Sequence, residues 1–160
     1  MKKVFLLLTM ALCVIVGVNA QGAGKDKVAV YVTGNVDNSN KEIISSKMIS
    51  RVSNTKGYVA VERTEAFLNA ITQESDYQVS GEVRDDQIAT LGKRFGAKLV
   101  AVVEANNTTE ENCFISARLI DVESGMVLKS VDGNRKITTT NELIALTNNV
   151  AYRLMSKDSK

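Results

Sequence analysis

Residues 97–131 read AKLVAVVEANNTTEENCFISARLIDVESGMVLKSV, and this stretch decides the fold. Ala97 to Glu104 is an almost continuous apolar, β-branched run, the composition of a strand buried on both faces. Cys113 to Asp121 alternates instead. Cys113, Ile115, Ala117 and Leu119 fall on one side, Ser116 and Arg118 on the other. A period of two predicts a strand with one face on the core. Glu123-Ser124-Gly125 is a tight turn, and Met126 to Val131 returns as the partner strand. A buried strand thus leads, across the polar loop Asn106 to Asn112, into a hairpin.

Working toward the amino terminus, the pattern becomes strand–helix alternation. Lys27 to Thr33 (KVAVYVT) is a buried strand bounded by Gly34, and Asn35 to Asn40 is a turn cluster. Ser39 followed by Glu42 fits a capping box. The helix behind it carries Ile44, Met48 and Val52 on one stripe and ends near Asn54 to Gly57. Tyr58 to Glu62 is a second strand. Thr64 caps a helix with Phe67, Leu68 and Ile71 inward, Gln73 to Gly81 is irregular, and Asp85 or Asp86 opens a third helix with Ile88, Leu91 and Phe95. Gly96 stands where a left-handed terminator belongs. Past the hairpin, Thr139 and Glu142 form another capping box, ahead of a helix carrying Leu143, Leu146, Val150 and Leu154.

Strand–helix–strand links favour parallel pairing, and the hairpin adds antiparallel strands. The expected fold is therefore α/β: a single domain, from 27 to 156, with a five-stranded mixed sheet in the order 2-1-3-4-5 and helices on both faces.

The first twenty residues read as an address. Lys2 and Lys3 precede an uncharged apolar stretch from Val4 to Val18, and Val18-Asn19-Ala20 fits a cleavage site before Gln21. The apolar run is shorter than a membrane span requires. Leu12 precedes Cys13 where a lipobox wants Gly, Ala or Ser, so a cleaved signal, not a lipoprotein, is expected. Residues 21–26 form a short leader and 157–160 a polar tail. The whole chain has 160 residues with 20 Lys+Arg and 18 Asp+Glu. Cleavage removes two lysines and no acid, leaving 18 of each sign. A charge-balanced body lacks the cationic field of a nucleic-acid binder. Only Cys113 is left, and its place in an alternating run predicts a buried thiol.

Histidine is absent and cysteine occurs twice. That excludes His-based triads, His-ligated metals and a Cys-only zinc site. The turn after the first strand, Gly34 to Ser39, has one glycine and no Gly-Lys-Ser/Thr, so no phosphate loop is present. Asn35, Asp37 and Asn38 lack the acidic spacing of a calcium loop. Asp85-Asp86 reads as a helix start and Glu110-Glu111 as a solvated loop. Glu62-Arg63 stands at the carboxyl end of the second strand. It fits an ion-paired corner or a contact with a ligand gathered at strand ends. No cofactor is expected.

Several segments together resemble one family. Tyr58-Val59-Ala60-Val61-Glu62-Arg63, Phe67-Leu68, Gln73-Glu74, Val79-Ser80-Gly81 and the run from Leu91 to Val100 look like the core signature of the CsgG/LpoB-type cell-envelope proteins. Ala117 to Gly125 resembles the hairpin of that family, and the amino-terminal domain of TolB shares the fold. The resemblance implies a non-enzymatic module of the envelope that binds another envelope protein. The alternative it implies is a subunit of an outer-membrane-associated secretion or assembly complex. Nucleic acid is not an expected partner, membrane contact is at most peripheral, and oligomers are possible. Glu62, Arg63, Tyr77, Gln78 and Ser80 are the candidate contacts, the last three because they occupy the longest irregular stretch.

Overall fold

The computed structural model describes residues 24–61, 90, 92–93, 96–109 and 111–156. Its elements are β1 (Asp26–Thr33), α1 (Asn38–Asn54), β2 (Tyr58–Ala60), β3 (Leu99–Asn107), β4 (Asn112–Asp121), β5 (Val127–Lys136) and α2 (Thr140–Met155). The sheet runs β2-β1-β3-β4-β5, the expected order. β1 pairs parallel with β2 and with β3, whereas β3–β4 and β4–β5 are antiparallel.

Period two sorts the sheet's side chains onto two faces. Val28, Val30, Leu99, Ala101, Val103, Ile115, Ala117 and Leu119 meet Ile44, Met48 and Val52 of α1 and Leu143, Leu146, Val150 and Leu154 of α2. Ala29, Val100, Val102, Ile120 and Val122 form a smaller cluster on the other face, with Tyr31 and Val61 packed against it. Thr90, Gly92 and Lys93 are helical, and a Cβ on Gly92 would lie 2.5 Å from Val122 Cγ2 and 2.9 Å from Val100 Cγ2. A helical residue, Gly92, therefore packs on this face too. β3 is buried on both sides, as its unbroken apolar run requires, and β4 alternates as read. Ile44 and Met48 have no exposed surface, and each side chain contributes roughly 1.5–3 kcal/mol by burial.

Three local readings need correction. The first helix is capped by Asp37, not by Ser39 and Glu42. The Asp37 carboxylate accepts from Asn40 N at 2.8 Å, from Asn40 Nδ2 at 2.8 Å and from the Ser39 hydroxyl at 2.7 Å. An ionised carboxylate is the stronger acceptor, so it takes the free backbone donor and turns the serine into a donor. β3 runs on to Asn107, three residues past Glu104. β5 runs on to Lys136, five past Val131, because pairing with β4 continues to Asn112↔Lys136 after the apolar signal has ended. The second capping box, Thr139 with Glu142, is present as read.

Candidate interaction surface

Glu62, Arg63, Tyr77, Gln78 and Ser80 lie outside the described residues, as do the helix starts near Thr64 and Asp85 and the segment 1–20. β2 ends at Ala60, and Val61 N donates to Val28 O at 2.9 Å.

At the carboxyl ends of the central strands, the β1–β3 ladder closes at Thr33↔Glu104. Gly34 follows with φ +111° and turns the chain hard against β3. Asn35 then extends the ladder with its side chain. Its Oδ1 accepts from Asn107 N at 2.6 Å, and its backbone N donates to Asn106 Oδ1 at 2.9 Å. Asn106 Nδ2 donates to Glu104 Oε1 at 2.8 Å. These groups are committed to one another, so the corner is a clasp joining β1 to β3. Sequence reading took Asn35 for a turn residue. Its only signal was its place directly after a strand-ending glycine.

Among the described residues the sheet has two unlike edges. β2 offers three residues, whereas β5 offers ten, roughly 33 Å of strand. Lys129, Asp132, Arg135 and Lys136 are spread along β5, and a bulge interrupts its pairing between Leu119 and Ile120. Both devices discourage indiscriminate strand pairing. Arg153 from α2 donates to the Asp132 carbonyl at 2.7 Å, and Lys129 Nζ donates to Ser156 O at 2.8 Å. Gly133 lets α2 approach, since a Cβ there would lie 2.9 Å from Leu146 Cδ1. Val127 and Leu128, at the start of the strand, are exposed. They escaped sequence reading because they look like any strand residues of a hairpin.

The electrostatics are those of caps and turns. Donation from Asn40 N–H and the Ser39 hydroxyl holds the Asp37 carboxyl below its usual range. Ser124 N–H and hydroxyl do the same for Asp121, and Thr138 and Thr139 for Glu142. Asp26 accepts from Lys98 at 2.9 Å and raises that lysine. Cys113 is buried, as expected, and burial pushes its thiol up. Among the described residues no group of three or more His, Cys, Asp or Glu could hold a metal ion. Among them, too, no helix is long and apolar enough to cross a membrane.

The fold and this surface define a single mixed-sheet α/β module with one long, guarded edge. No family model matches the chain, and no curated protein matches it. Solved structures share the fold. The PelC dodecamer from Paraburkholderia phytofirmans superposes with a TM-score of 0.53 at 14% identity, covering 85% of this chain and 91% of that one. Lipoprotein GNA1162 from Neisseria meningitidis gives 0.51 at 15% identity, covering 83% and 99%. The LpoB C-terminal domain from Escherichia coli gives 0.50 at 15% identity, covering 74% and 89%. At these identities the likeness is one of fold alone. It bears out the LpoB-type fold read from the residues.

Proposed function

We propose that this chain is a non-enzymatic binding module of the bacterial envelope, docking on a protein partner along β5. The observation that carries it is the ten-residue edge strand with Val127 and Leu128 exposed at its start. An extended segment of a partner adds to such an edge through main-chain hydrogen bonds, and its side chains set specificity. Arg153 on the Asp132 carbonyl makes the edge selective, because a partner must displace or bypass that contact. The LpoB-type fold and the secretory layout of residues 1–20 support an envelope setting, with processing after Ala20 and no lipid on Cys13. Glu62, Arg63, Tyr77, Gln78 and Ser80 stand as a second proposed contact, on the residue arguments alone.

Photo-crosslinkers placed singly at Ser130, Asn134, Tyr77 and Glu42 test this in intact cells. The expected result is a discrete adduct from Ser130 and Asn134 and none from Glu42, which is exposed on α1 away from that edge. Adducts from Glu42 alone would refute the assignment of the edge.

One observation favours a second reading, a ring-forming subunit: a protein of this fold was solved as a dodecamer. Native mass spectrometry separates the two. A closed multiple of the chain mass supports the ring, and a monomer refutes it.

A further inference from the structure

The molecule has two unlike ends. One end is the row of backbone contacts that closes the sheet where β1 and β3 begin: Asp26 N to Gly57 O, Lys98 N to Lys27 O, Val122 N to Lys98 O and Asp121 N to Met126 O. Lys25, Lys27, Lys56, Lys93 and Lys98 all stand exposed at or beside this row. Among the described residues, three acids share it against these five lysines. Asp26 is held by Lys98, Asp121 is turned into the Ser124 turn, and Glu123 is exposed. Lysine is therefore in excess.

Exposed apolar side chains gather at the same end. Among the described residues, the large hydrophobic side chains left exposed are Val59, Met126, Val127, Leu128 and Tyr152. Val59 pairs with Lys27, and Met126 to Leu128 lead from the hairpin turn into β5. Tyr152 lies in the last turn of α2, stacked under Arg51 at 4.5 Å from the last turn of α1. Met126 is 64% exposed and Leu128 56%, the latter at the bulge of β5. The opposite end is polar and carries both signs, with Asp37, Glu104, Glu111 and Glu142 beside Lys41, Arg135 and Lys136, the last paired with Glu111 at 2.6 Å.

We infer that this basic, apolar end is a peripheral docking site for an anionic phospholipid surface. The match is one of complementary charge and of depth. Lysines on long stems reach anionic headgroups, while a protruding methionine and leucine enter the boundary with the acyl chains. A surface binding acidic protein through lysines alone would not need Met126 and Leu128 bare. The two readings share Val127 and Leu128, but the lysines and Met126 carry the inference without strand addition, and β5 from Lys129 onward runs up from the membrane.

Vesicle co-sedimentation of the protein, as the cell processes it, tests this. Vesicles of phosphatidylglycerol and phosphatidylethanolamine are compared with vesicles of phosphatidylcholine. The protein is expected to bind the anionic vesicles and not the neutral ones. Lys27→Ala and Lys56→Ala should each weaken binding about fivefold. Met126→Ser with Leu128→Ser should weaken it further, and Lys136→Ala at the far end should leave it unchanged. These side chains are exposed, and circular dichroism verifies that each variant is folded. Equal binding to both vesicle types, no binding, or an equal loss with Lys136→Ala would overturn the inference. Tight binding to soluble polyglutamate that ignores Met126 would assign the end to an acidic protein instead. A vesicle-free rise in mass abolished by Met126→Ser would assign it to a second copy of the chain.

Discussion

Gly34→Ala probes the clasp between β1 and β3 directly. The new Cβ would stand 2.0 Å from Ala105 O and 2.7 Å from Ala105 C, both backbone atoms. Relief requires the end of β3 to move by more than an ångström, on the order of 1–3 kcal/mol by analogy with overpacked cores. The positive φ of +111° adds roughly 1–2 kcal/mol for any residue with a Cβ. Gly57→Ala supplies the control, because Gly57 has φ +95° and nothing within 4 Å of the new atom. It meets the conformational cost without the collision. Both substitutions also reduce unfolded-chain freedom, by a similar amount that cancels in the comparison. Urea unfolding should therefore show Gly34→Ala less stable than Gly57→Ala by about 1–3 kcal/mol at unchanged m. Equal destabilisation of the two variants would refute the clasp.

Three further outcomes are expected. Asp37→Ala should lower stability by about 1 kcal/mol in urea while Ser39→Ala stays within about 0.5, which separates the observed cap from the one read in the sequence. Asp37, Asp121 and Glu142 are held below their usual range in the folded state. Their contribution is therefore complete above about pH 5, where the unfolded carboxylates are ionised, and is lost as pH falls through the lower folded values. Urea midpoints measured down the acid limb should fall less steeply for Asp37→Asn combined with Asp121→Asn. Cys113, buried against the core, should resist a thiol reagent in the native protein and react fully in denaturant; rapid native labelling would contradict its placement.

The sheet order and the core stripes were legible because burial writes itself into period. Ile44, Met48 and Val52 repeat every four residues, and Cys113 to Leu119 every two. Legibility stopped where backbone pairing goes on without burial. Residues 132–136 of β5 read Asp-Gly-Asn-Arg-Lys, yet their partners in β4 hold them in register. The Ser39 cap was misread because two acceptors compete at one helix start, and charge decides between them. The surface was least legible of all. Met126 and Leu128 look like core residues until the turn is built and their exposure can be seen.

The pairing of β1 with β3 has a consequence for timing. Val28 must wait for Leu99, 71 positions further along the chain, before its strand is flanked on that side. Non-local closure of this kind is slow compared with helix or hairpin formation. During synthesis the hairpin strands come later still, and α2 completes the same core last. The nascent polypeptide accordingly stays unlatched for most of its elongation, and its sheet can close only once nearly two thirds of the chain has been made.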